Sequence, residues 1–298
     1  MDPNYVTTQP VEFGDAPRAN LRLSSVYALY GDQFRRWFGI TAPTSVLASV
    51  ALWLADDRIR AIYRNIPRGE LPYHHGEIAE AFVLRFGAYF ISWLLGCIAL
   101  GAIATVVNGL DADDASDVWK SDSYQKAREH FGTLLWAALL TYCAFLVGMA
   151  MVEIVAVALT RVVGWSHFAR FSYAMGVIGY AAIAGIISWF GMAIPLVLSG
   201  NAGAWAALKK SISLSNGYEG FLFLLVVESV IGSYLAWYAV RYGLSFLFPA
   251  QFRFTAWYGW LVYFMAVLAT AAVEPPMFIG FSLLAANSSA LTNAGAKE

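Results

Sequence analysis

Charge is scarce in this chain. Asp, Glu, Lys and Arg together make up 13% of its 298 residues, against about a quarter in soluble domains. With 59% hydrophobic and 16% aromatic residues, a water-soluble fold of this size could not hide its apolar surface. The chain therefore reads as an integral membrane protein. A formal net charge of −1, with no long Lys/Arg run, argues against a nucleic-acid partner. Cysteine is nearly absent: Cys97 and Cys143 support neither a disulfide framework nor a zinc site, and in apolar segments they are expected to pack as small hydrophobes. The opening "MDPNYVTTQPVEFGDAPRAN" lacks a basic start followed by a short apolar core. No cleaved signal peptide is expected, and the first hydrophobic helix is expected to act as its own insertion signal.

Enzyme signatures are missing too. There is no Walker loop, GxSxG elbow, HExxH, CxxC or dinucleotide fingerprint, so no catalytic residue and no cofactor is assigned. The nearest thing to a metal cluster is "GELPYHHGE", with Glu70, His74, His75 and Glu77. Imidazole and carboxylate are ordinary zinc ligands, but the bland alternative is a solvated loop.

What the chain has in quantity is apolar length. A hydrocarbon core about 30 Å thick needs about 20 apolar residues per helix. Six runs meet or approach that length, at 38–55, 81–107, 132–159, 168–198, 220–248 and 257–286. The first is short, interrupted by Pro43 and ended by Asp56 and Asp57, so it could be re-entrant. Trp165, Tyr173, Trp257, Tyr258 and Trp260 near run ends read as interfacial anchors. Before the first, third and fifth runs lies a short segment with apolar residues at i, i+3 and i+7. These are Tyr27, Tyr30 and Phe34; Tyr124, Ala127 and Phe131; and Trp205, Leu208 and Ile212. Such spacing gives a helix one greasy face and suits the membrane interface. The predicted fold is all-α and polytopic: three transmembrane hairpins, each preceded by an amphipathic interfacial helix. A polar tail (1–22) leads into the membrane domain (23–289, weak repeats 23–110, 121–200 and 204–288), and a short tail (290–298) follows. With the N-terminus cytoplasmic, ten Lys/Arg fall inside and seven outside, a narrow margin under the positive-inside rule.

The stretch "FGMAIPLVLSGNAGAWAALKKSISLSNGYEGFLFLL" carries Pro195, Ala207, Leu208, Lys209, Lys210, Ser211, Ser215 and Gly217. This pattern resembles the membrane domain fused to some bacterial glycerophosphodiester phosphodiesterases, and the related YciC-like inner-membrane proteins. "SSVYALYGDQFRRWFG" and "PPMFIGFSLLAANSS" extend the likeness over most of the chain. The basic pair is Lys-Lys where that family more often has arginine, and no phosphodiesterase domain is present in these 298 residues. The resemblance implies six helices in a bacterial cytoplasmic membrane and transfers no catalytic residue.

Ionisable groups inside the apolar runs are the remaining guide, because each must face protein, water or a partner. Arg85 and Glu153 lie near the same side of the bundle and are expected to form a structural ion pair. Glu228 and Glu274 fall at about equal depth if the last two runs form a hairpin turning near Phe252. Two carboxylates at one level call for a shared proton or a cation between them. Pro275 and Pro276 free the helical carbonyls of Ala271 and Ala272, and Pro195 marks a comparable kink. The kinks read first as architecture and second as part of a proton or cation site. The function expected is a non-enzymatic module that interacts with membrane lipids or with another membrane protein or subunit. Set against it are a proton- or cation-coupled transporter using Glu228 and Glu274, and a membrane enzyme with metal at His74 and His75.

Overall fold

The computed structural model describes residues 22–66, 74–109, 120–163, 179, 181–199, 203–249, 251 and 256–295. Among them the secondary structure is helical, and six helices are long and apolar enough to cross a membrane, as the composition requires. The helices are α1 (Leu23–Asp32), α2 (Phe34–Asn65), α3 (His75–Gly109), α4 (Lys120–Glu129) and α5 (Phe131–Val163). Next come α6 (181–190), α7 (Ala193–Ser199), α8 (Ala204–Ser215), α9 (Glu219–Leu247), α10 (Ala256–Val273) and α11 (Pro275–Gly295).

The first run is a full span rather than a re-entrant segment. Helix α2 continues through Pro43 and past Asp56 for 32 residues, about 48 Å at 1.5 Å per residue. Five of its last ten residues are charged, yet Ile59, Ile62 and, just past the helix end, Ile66 recur at i, i+3 and i+7 and bury against Ala81 and Leu84 of α3. Two exposed ion pairs, Arg58–Glu80 at 2.9 Å and Arg85–Asp56 at 3.2 Å, tie the same two helices together. An α2–α3 hairpin of this length outreaches a ~30 Å hydrocarbon core.

The fourth and sixth spans are broken. Helix α6 ends before Gly191 and α7 restarts at Ala193, while α10 ends at Val273 and α11 starts at Pro275. Proline fits the first helical turn because the missing N–H has no partner there in any case. Pro275 and Pro276 therefore begin a new helix instead of distorting an old one.

Burial separates inner from outer helices. Of the most apolar window, 56% is buried in α3 and 50% across 181–198, against 22–28% in the other spans. The core lies where α3, α7 and α11 meet, around Ile103, Val197, Ile279 and Phe281. Trp37, fully buried, seals one side, with its indole N–H donating to Leu29 O at 3.0 Å.

The three short helices take up a recurring position. Helix α4 packs on α3, α8 packs on α7, and α1 packs on α11. Each sends a hydroxyl to a main-chain carbonyl three to six residues before a proline. Tyr124 donates to Ile40 O, ahead of Pro43; Ser211 donates to Trp189 O at 2.7 Å, ahead of Pro195; Tyr30 donates to Ala272 O, ahead of Pro276. Proline deprives the carbonyl four residues upstream of its usual donor, and of these three carbonyls only Ala272, before Pro276, stands at that distance. Between α8 and α9, Gly217 takes φ +92°, a left-handed conformation that favours glycine.

Burial pushes the Tyr124 phenol up to about 12 from its usual 10, and burial raises Tyr27 and Tyr30 also. A raised folded pKa means that the fold favours the neutral phenol. Stability is therefore complete below pH 10 and falls as pH rises from about 10 through 12. Thermal unfolding in detergent should be flat from pH 7 to 9 and decline above 10. Tyr124→Phe should flatten part of that decline.

Candidate functional site

The break between α10 and α11 brings several polar groups together inside the spans. Ala271 and Ala272 carry the carbonyls that lose their i+4 donors to Pro275 and Pro276, and both regain one from far away in the chain. Thr41 Oγ1 on α2 donates to Ala271 O at 2.8 Å, and the Tyr30 hydroxyl on α1 donates to Ala272 O. One turn along α2, Ser45 Oγ donates to Glu274 Oε2 at 3.3 Å. The backbone N–H of Glu274 reaches Thr270 O at 3.2 Å, and Met277 N–H returns to Glu274 O at 3.2 Å. The oxygen-rich level expected around Glu274 is thus held by neighbouring side chains.

Glu228 lies elsewhere on that level. The helices carrying the two glutamates pack closely at Gly232, where an added Cβ would come within 2.5 Å of Val273 Cγ1. Glu228 sits one turn before Gly232, exposed on α9, with the Tyr27 hydroxyl of α1 as its polar neighbour. Each carboxylate therefore has its own hydroxyl neighbour, Tyr27 for Glu228 and Ser45 for Glu274. These four hydroxyl residues, Tyr27, Tyr30, Thr41 and Ser45, were not singled out as site residues in the sequence. Tyr27 and Tyr30 were read only as a greasy face. Thr41, Thr44 and Ser45 form a hydroxyl stripe at i, i+3 and i+4 within an apolar run, a readable sign that something polar lies opposite.

Of the other expected groups, Arg85 pairs with Asp56 of α2. The side chain of Glu153 lies outside the described residues, as do Glu70, Trp165 and Tyr173. His74 Nδ1 lies 3.3 Å from Glu77 Oε1 and His75 opens α3. Among the described residues no three His, Cys, Asp or Glu gather as a metal site. Pro195 lies inside α7, after the Gly191 break. Cys97 is buried and Cys143 exposed. Tyr258, read as an interfacial anchor, is buried against Phe248, while Trp257 and Trp260 stay exposed. Arg241 rests 5.1 Å from the centre of the Trp237 ring, a cation–π contact.

A second locality is apolar. A cavity of about 710 Å³ lies between α3, α5, α6 and α11. It runs from Phe86 and Tyr89, both exposed, to Leu100, Ile194 and Phe281, all buried. Its floor is formed at the two helix breaks, where Gly191 meets the Phe281 ring.

A third is the outer surface of α8. The sequence grouped Trp205, Leu208 and Ile212 on one face, but the helix divides them. Leu208 turns inward with Ala204, Ala207 and Ser211, while Trp205 and Ile212 remain exposed. Lys209 lies between them, its Nζ 5.6 Å from the Trp205 ring centre. An indole, an ammonium and an aliphatic side chain within two turns match the chemical gradient of a membrane interface. No family model, curated protein or solved structure matches the chain.

Proposed function

We propose that this protein is a non-enzymatic, lipid-interacting module of the bacterial cytoplasmic membrane, multi-pass, with its N-terminus on the cytoplasmic side. The observation that carries this reading is the outer face of α8, where Trp205, Lys209 and Ile212 stand exposed beside the bundle. An interfacial aromatic places its ring among head groups, and a neighbouring ammonium adds attraction to lipid phosphate worth about 1 kcal/mol near an anionic surface. The resemblance to a membrane domain found joined to enzymes of lipid head groups supports the same reading.

Protein purified in mild detergent should retain phosphatidylglycerol in preference to phosphatidylethanolamine when observed by native mass spectrometry. Lys209→Gln should reduce that preference about fivefold, the equivalent of about 1 kcal/mol. A bare protein indifferent to lipid charge would overturn the reading. If instead a membrane-protein subunit co-purifies in fixed ratio and lipids do not, partner binding replaces lipid interaction.

A further inference from the structure

The cavity between α3, α5, α6 and α11 points to a ligand more specific than the surrounding bilayer. The geometry points to an intramembrane site for one acyl chain of a glycerophospholipid, with its head group left outside. This rests on the lipid-interacting reading above and narrows it to a place and a chemical class.

Three observations carry the assignment. The first is the chemistry of the wall. Trp93, Phe145 and Phe190 line it with aliphatic neighbours, and the polar atoms of Ser92, Trp93, Thr141 and Tyr142 already have partners. Ser92 Oγ donates to Ala88 O at 2.9 Å and Trp93 Nε1 to Thr141 Oγ1 at 3.0 Å. Thr141 Oγ1 donates to Ala137 O at 3.0 Å, and the Tyr142 hydroxyl to Phe86 O at 3.1 Å. Side chains so occupied ask no hydrogen bond of an occupant. Water needs two to four polar partners and is poorly held on such walls, whereas hydrocarbon is not.

The second observation is size. From Phe86 to Leu100 the cavity follows α3 for fourteen residues, ~21 Å at 1.5 Å per residue. One leaflet of the hydrocarbon core is only about 15 Å deep, so a lipid chain fits lengthwise. A volume of about 710 Å³ falls in the ~300–1,000 Å³ range of small-molecule sites.

The third is direction. Phe86 and Tyr89 are 41% and 50% exposed, whereas Phe281 and Ile194 at the other end are 1% and 2% exposed. The open end lies one turn from Arg85 and its partner Asp56, at the level where α2 and α3 become charged. A chain entering there keeps its polar end among those charges.

Gly96 supplies the test, because it lines the cavity and an added Cβ there meets nothing within 4 Å. Gly87, exposed on the same helix and equally unobstructed, is the matched control. Protein would be reconstituted into phosphatidylglycerol–phosphatidylethanolamine vesicles with a trace of phosphatidylcholine bearing a diazirine at the end of one acyl chain. After illumination, the wild type should be labelled on the peptides holding Trp93 and Phe145. Gly96→Phe should lower that labelling at least fivefold, Met149→Trp should do likewise, and Gly87→Phe should leave it unchanged. Unlabelled cavity walls, or labelling equal in the two filling variants and the wild type, would overturn the site. So would a tightly retained quinone or other isoprenoid in place of a glycerophospholipid. Head-group preference is read separately at Lys209, so loss of the chain site and loss of the broader lipid reading give different results.

Discussion

Replacing Tyr30 by phenylalanine and Thr41 by valine in the same chain is expected to destabilise the protein by about 2–6 kcal/mol, at about 1–3 kcal/mol for each carbonyl left without a donor. Interhelical polar pairs in membranes average nearer ~0.6 kcal/mol, because the separated groups find other partners. The larger figure is expected here because Pro275 and Pro276 remove the N–H groups that Ala271 and Ala272 would otherwise use. Tyr30 and Thr41 are the donors that replace them. The two prolines supply their own control. In a background carrying Pro275→Ala and Pro276→Ala the helical donors return, and the same double change should cost less than half as much by denaturant titration in micelles. Equal costs in both backgrounds would mean that the hydroxyls are not substituting for the missing amides.

Gly191→Ala is the second change with a large expected effect, about 2–3 kcal/mol, at the upper end of ordinary overpacking. A methyl group at this position would lie 2.5 Å from Phe281 Cζ and 2.8 Å from the carbonyl oxygen of Ile187. Neither neighbour yields easily, one being a rigid ring buried in the core and the other main chain. Gly280 and Gly148 offer a comparison of similar closeness but different stiffness. There the clashes, at 2.3 Å with Leu225 Cδ1 and 2.0 Å with Ile186 Cδ1, fall on the ends of flexible side chains. Alanine at Gly280 or Gly148 should therefore lower the melting temperature less than alanine at Gly191. The reverse order would show that the stiffness of the contact does not govern the cost.

The six spans were readable because a bilayer imposes a length on any helix that crosses it, and hydropathy alone reports that length. The extension of α2 from Asp56 to Asn65 was overlooked for the same reason, since its charge hid the Ile59, Ile62 and Ile66 ladder that packs it on α3. At the α10–α11 break, the carbonyls of Ala271 and Ala272 could be derived from the two prolines, because that relation is local. Their donors could not be derived, since Thr41 and Tyr30 lie 230 and 242 residues away. Counting residues brought Glu228 and Glu274 to neighbouring positions, and the Gly232–Val273 contact agrees with that depth. Counting says nothing of azimuth, however, and the two side chains turn toward α1 and α2 respectively. The face of α8 failed similarly: a spacing of three and seven groups Leu208 with Trp205 and Ile212, but packing against α7 claims only Leu208. The cavity left no mark in the sequence, because it is a space between helices rather than a property of any one of them.

The position of α1 bears on the order in which the chain can assemble. Helices α4 and α8 find the helices they dock on already made when they leave the ribosome. Helix α1 precedes the other described helices in the chain yet rests on α11, which follows them, and Tyr30 waits for a carbonyl 242 residues downstream. Closing so long a loop carries an entropic cost that only the finished bundle repays. Among the described helices, α1 can therefore make this contact only after α11 has been synthesised.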